Sequence, residues 1–186
     1  MRMYYSIDAA HKAAVQGGST MSRIAYRLAS VSLAAALAGV TGSASAQLLA
    51  HKDMSLAMAT TIARTVIDSC KAQGYNVSVH VLGREGQTIL AVRNEGAGLA
   101  TFENSMKKAY TARTFARSSG EFAEGVKGNP NAGALFLTNI TPAQGALPIK
   151  IGNETIGAVG VSGAPGGEKD EACAKAGIDK VADELK

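Results

Sequence analysis

The strongest constraint on this chain is a pair of strand-turn-strand signals, each followed by a helix-like segment. Val77, Val79 and Val81 alternate, Gly83 to Gly86 supplies turn chemistry, and Thr88 to Val92 is again rich in β-formers, which together read as a hairpin. Pro148 to Ile151 and Thr155 to Val161 repeat the pattern around Gly152-Asn153. Hairpins pair neighbouring strands antiparallel. The chain is therefore predicted to be α/β of the α+β kind, with helices on an antiparallel sheet rather than a doubly wound parallel one.

The helices follow from spacing. From Ser55, the residues Leu56, Ala59, Ile62, Ala63, Val66, Ile67 and Cys70 recur at helical intervals, and Gly74 stands where such a helix stops. Thr101 is placed to cap a second helix through about Arg117, with Phe102, Met106, Ala109, Tyr110 and Phe115 on or near its apolar side. Ser118 and Glu121 have the spacing of a capping box for a short third helix ending by Gly128. Asn129 to Gln144, interrupted by Pro130, Gly133 and Pro142, is expected to be a loop with one brief strand. Flexible backbone from Gly160 to Gly167 leads into a last helix over Glu168 to Leu185. The expected order is α-β-β-α-α-β-β-β-α.

Residues 1–46 have a different character. Arg23 and Arg27 precede an apolar run from Leu28 to Val40, which gives way to small residues ending in Ala44-Ser45-Ala46. A basic start, a short apolar core and a small-residue exit are the parts of a secretory signal peptide, with cleavage expected after Ala46. The run is shorter than the ~20 residues a spanning helix needs, so a membrane anchor is the weaker reading. Residues 1–46 are thus assigned to an N-terminal extension and signal peptide and 47–186 to one domain, periplasmic or secreted. Met1 to Thr20 shows no helical or strand period, and Met21 is an alternative start.

Charge narrows the partners. Losing Met1 to Ala46 removes Arg2, Lys12, Arg23 and Arg27 with Asp8, four cations and one carboxylate, so the formal net charge of +4 falls to +1. With no cationic stripe and no Trp for stacking, nucleic acid is not an expected partner. Cys70 and Cys173 would meet an oxidising compartment after export, which leaves two readings: a bridge between them, or two buried thiols packing as small hydrophobes.

Candidate chemistry is sparse. Gly157, Gly160, Gly163 and Gly166 lead from strand to helix, but their spacing fits neither common phosphate-binding fingerprint, and Glu168, Asp170 and Glu171 would repel a phosphate there. His51 and His80 are too far apart for a metal motif, and each stays open as a metal or axial ligand beside a packed or surface reading. His80 shares a strand face with Ser78 and Leu82, opposite the valines. No serine has the setting of a hydrolase nucleophile, and Glu121 with Glu124 reads as a solvated helix face before a weak iron site. More informative is Arg93 to Arg113, where Lys107, Lys108, Tyr110, Thr111 and Arg113 lie close to Phe102 and Met106. An apolar slot edged by cations suits a flat, dianionic ligand such as haem; the plain alternative is a core-facing helix with solvated lysines.

Four blocks in order carry a resemblance: Val77 to Ala97; Lys108 to Ala112 (KAYTA); Leu147 to Ile149 (LPI); and Gly157 to Gly167 (GAVGVSGAPGG) running on to Asp170 to Gly177 (DEACAKAG). Together they resemble the GlcG/HbpS-like haem-binding (haem-degrading) domain family over essentially all of residues 47–186. The resemblance implies a profilin-like, antiparallel five-stranded sheet with helices on both faces, haem or a similar tetrapyrrole as cofactor, and assembly into a homo-oligomer. It also implies first and last helices side by side, bringing Cys70 near Cys173. By position, Thr111 falls on the helix expected to contact haem, with Lys108 and Arg113 as propionate partners and Arg93, Phe102 and Tyr110 around them. Three functions are compatible: plain haem binding, an interaction partner of a membrane sensor or transport system, and haem degradation. The chain departs from the family pattern at Gly83, where an Asp is common, and at Ala146, where many relatives have Gly. The first departure weakens any acid/base role at that turn.

Overall fold

The computed structural model describes residues 48–186; the signal peptide, its cleavage site and the alternative start lie outside them. Helix α1 spans Leu56–Ala72, capped by the Ser55 hydroxyl, which accepts from the Met58 amide. Strands β1 (Ser78–Leu82) and β2 (Thr88–Arg93) form the first hairpin. Helices α2 (Thr101–Phe115) and α3 (Ser119–Val126) follow, the latter opened by the expected Ser118–Glu121 capping box. Strands β3 (Ala146–Ile151) and β4 (Glu154–Ser162) form the second hairpin, and α4 (Gly167–Lys180) closes the order before a short 3-10 turn at Ala182–Glu184. No helix among the described residues is long and apolar enough to cross a membrane.

The fold class stands as expected, with one difference in strand count. The sheet has four antiparallel strands in the order β2-β1-β4-β3, not five. The brief strand expected between Asn129 and Gln144 is instead a 3-10 turn at Gly133–Phe136. Its backbone is satisfied locally: the Leu135 amide donates to the Ala132 carbonyl and the Leu137 amide to the Ala134 carbonyl, so this segment has no need of a neighbouring strand. The last helix also stops earlier than its apolar spacing suggests, at Lys180.

The two faces of the sheet are built differently. Val79, Val81, Val159 and Val161 point to one side, where they meet Ile62, Val66 and Ala174 of α1 and α4 in the main apolar core. Gly177 lets these helices touch, because a Cβ there would lie 2.6 Å from the Val66 methyl and 2.9 Å from the Ile62 carbonyl. That approach brings Cys70 and Cys173 to a Cα separation of 5.6 Å, and they form a disulfide, which decides between the two readings of the cysteines. On the opposite side, α2 lies over Ser78, His80, Ala158 and Gly160. Gly160 is the seat of the helix, since an added Cβ would press into the Ser105 carbonyl and lie 2.6 Å from the Ala109 amide. Ala146, at one of the two departures from the family pattern, packs with Ala112 and Ala158 in a small second core.

Candidate functional site

Helix α2 buries an unexpected set of residues. Its sheet-facing side is Ser105, Lys108, Ala109, Thr111 and Ala112, small or polar throughout, while the bulky residues are turned aside. Phe102 is 41% exposed, and Met106, Tyr110 and Arg113 are half-buried. Those four positions fall at helical intervals, so they form one stripe about 16 Å long on the helix surface.

Register and contacts place the stripe beside strand β2. At one end Phe102 meets His80 edge-on, ring centroids 4.5 Å apart. Towards the other end, Tyr110 abuts the β1–β2 turn, its ring 3.2 Å from where a Cβ on Gly86 would sit. Ala91 is the cross-strand partner of His80, and Arg93 that of Ser78, so both share the α2 side of the sheet. Arg93 is exposed, with Nη2 donating to the Ala97 carbonyl at 2.6 Å. Among the described residues the buried Nε of Arg113 has no hydrogen-bond partner. An apolar stripe thus runs between a cation near its start and another at its end.

Beneath the stripe runs a row of polar contacts. Ser78 Oγ and Thr101 Oγ1 are 2.8 Å apart, and Asn104 Nδ2 donates to Ser162 Oγ at 2.9 Å. Thr101 therefore does not cap α2; the N-cap is Ala100, without a side-chain bond. His80, fully enclosed between sheet and helix, has Nδ1 2.8 Å from Ser105 Oγ, and that hydroxyl also donates to the Phe102 carbonyl at 2.9 Å. Desolvation lowers the His80 pKa to about 4, so the ring is neutral at physiological pH.

Lys108 does not stand on the rim as the sequence suggested. Its side chain is 5% exposed, and Nζ donates to Asp170 Oδ2 at 2.7 Å and to the Val161 carbonyl at 3.1 Å. Asp170 in turn accepts from the Ala164 amide at 2.9 Å. Burial raises the Asp170 pKa, against the hydrogen bond and charge of Lys108, which pull it down. The pair pins α2 to α4 and ties down the glycine-rich passage, which serves here as a packed turn. Thr111 is wholly buried too: Oγ1 donates to the Lys107 carbonyl at 2.9 Å and accepts from the Thr141 amide at 3.0 Å.

Of the sequence-predicted residues, Phe102, Tyr110, Arg113, Arg93 and His80 gather around the α2–β2 edge, whereas Lys108 and Thr111 lie under the helix. His51 is exposed and sits apart, near Glu154 and its partner Arg84. No cluster of three or more metal-ligating side chains occurs among the described residues. A depression of about 420 Å³ lies between β2 and α1, lined by Thr60, Ala63, Arg64, Ile67, Leu90 and Val92 and reaching Arg93 at its end. It is the poorer site, because Arg64 is already paired with Asp68 and, among the described residues, its lining holds no unpartnered buried polar atom. Ser105 and Asp170 are the site residues that sequence reasoning missed.

Comparison with known proteins places these features in context. The family described as haem-degrading protein, HbpS-like, matches residues 54–179. An uncharacterised 15.0 kDa protein from the dhaT–dhaS intergenic region of Citrobacter freundii is 34% identical over 131 residues, covering 68% of this chain and 90% of that protein. A double mutant of Streptomyces reticuli HbpS superposes with a TM-score of 0.68 at 27% identity, covering 75% of this chain and 94% of that one. A PduOC–haem complex shares the fold, with a TM-score of 0.63 at 20% identity over 68% of this chain and 94% of that one.

Proposed function

This chain belongs to the HbpS-like family of haem-degrading proteins, and on that premise we propose that it is an exported protein that binds haem along the α2–β2 edge. The carrying observation is the stripe of Phe102, Met106 and Tyr110 with Arg93 near its start and Arg113 at its end. A planar macrocycle with an apolar body and two carboxylates needs that combination of greasy surface and nearby cations. Haem, when bound, would supply the iron and its redox chemistry; Phe102, Met106 and Tyr110 would shield the ring, and Arg93 and Arg113 would pair its propionates. Arg93 is the better placed for pairing, being exposed and on the same sheet face as His80. A cystine between Cys70 and Cys173 fits a life outside the reducing cytoplasm.

Titration with hemin tests the reading. We expect a saturable Soret change at micromolar protein, weakened less than about tenfold by Arg93→Ala, the range for a solvent-exposed ion pair. No saturable change with the unaltered protein would end it. A second reading, an oligomeric interaction partner of a membrane sensor or transport system, is favoured by Phe136 and Leu137, which are 76% and 55% exposed on the 3-10 segment. It predicts self-assembly by light scattering without any need for haem. Degradation would additionally need a reductant and oxygen, and its signature is loss of the porphyrin spectrum when both are supplied.

A further inference from the structure

Three side chains are candidates for an axial bond to iron: Thr111, His51 and His80. Thr111 is wholly buried, its hydroxyl donating to the Lys107 carbonyl and accepting from the Thr141 amide. His51 is exposed and apart from the stripe. His80 differs from both, being only 4% exposed and in contact with Phe102, the first residue of the stripe.

Its hydrogen bonds favour one tautomer. Ser105 Oγ has one hydrogen and lies 2.9 Å from the Phe102 carbonyl, which can only accept. With that hydrogen given to the carbonyl, the hydroxyl accepts from His80 Nδ1, 2.8 Å away, and a lone pair is left on Nε2. Among the described residues the hydrogen bond of the His80 ring is the one at Nδ1. A second-shell hydrogen bond of this kind, orienting the ring and fixing its tautomer from behind, is how ligating histidines are commonly prepared. Its cross-strand neighbours are Gly160, on which α2 is seated, and Ala91 of the edge strand β2, which sets only a methyl beside the ring on that side. Phe102 packs edge-on against the ring and is itself 41% exposed.

We propose that His80 Nε2 is the axial ligand to haem iron, that Ser105 presets it, and that Phe102 is the side chain the macrocycle displaces to reach it. This rests on the haem-binding reading above and goes beyond it by assigning the iron bond. In that arrangement Met106 and Tyr110 would hold the body of the ring and Arg93 would pair a propionate.

The test uses the full chain with ferric hemin, read by the Soret band and by electron paramagnetic resonance. His80→Ala is expected to change the iron signal and weaken binding at least about tenfold, with free imidazole restoring the original spectrum, and His51→Ala to leave it unchanged. Phe102→Ala is expected to speed hemin association several-fold and, by removing part of the apolar stripe, to speed its release as well. Circular dichroism of each variant checks that it is folded. Should His80→Ala fail to fold, the ¹⁵N shift of Nε2 in the unaltered protein takes its place: a bare nitrogen that moves on hemin addition supports the assignment, and a protonated one overturns it. If the unaltered protein binds hemin and folded His80→Ala gives the same iron signal, this inference alone is overturned. If the unaltered protein does not bind, the haem reading falls and the assignment with it.

Discussion

The two faces of the sheet follow opposite rules. Under α1 and α4 the contact is made by valines and isoleucines and closed by a cystine; under α2 it is made by serines, a histidine, a buried lysine and small residues seated on Gly160. Apolar contact tolerates small shifts because dispersion and area burial are non-directional. A row of hydrogen bonds does not, since each buried donor or acceptor that loses its partner costs the full desolvation of that group. The first face is therefore suited to holding the domain together, and the second to holding side chains at fixed positions beside the α2–β2 edge.

That contrast breaks most visibly at the cystine. Replacing Cys70 and Cys173 by Ala together frees a loop closed over a sequence separation of 103, and on chain entropy it should lower stability by about 5 kcal/mol, measured by urea unfolding. Hemin affinity at low denaturant should barely move, because the stapled face is not the one proposed to bind. Next in size is Lys108→Met, which leaves Asp170 buried without its cation and should cost about 3 to 5 kcal/mol; the double change with Asp170→Leu should recover most of that. If the single variant were as stable as the original, the polar face would not be the rigid one.

Acid sharpens the comparison further. His80 takes up a proton near pH 4 in the folded chain against 6.5 when unfolded. Between those values the unfolded state binds more protons, so stability is full above about pH 6.5 and declines as pH falls towards 4. The loss should reach up to about 3 kcal/mol. In His80→Gln the urea midpoint should be flatter over this window, and an unchanged slope would show that another group is responsible.

How much of this was legible in the sequence follows from the same division. The apolar face was readable because Ala59, Ile62, Val66 and Cys70 repeat at helical spacing and the valines alternate, and burial follows that periodicity. His80 was placed opposite the valines by the same alternation, and β1 keeps it there. The polar face was not readable. Lys108 looked like a rim cation because its partner Asp170 is 62 positions away, and the Ser105 partner of His80 is 25 away; no local pattern encodes such pairs. Helix α2 itself misled, because its largest apolar residues are the ones turned from the sheet, and only the close approach at Gly160 explains why small residues win the interior.

The cystine joins the first and last helices, so the whole sheet lies within one covalent ring. A protease cutting the exposed stretch around Phe136 would open that ring without releasing a fragment. A pull applied to the two termini would pass through the sulfur bridge and leave the strands unloaded. The fold is thereby guarded against a single backbone cut within the ring and against tension between its ends.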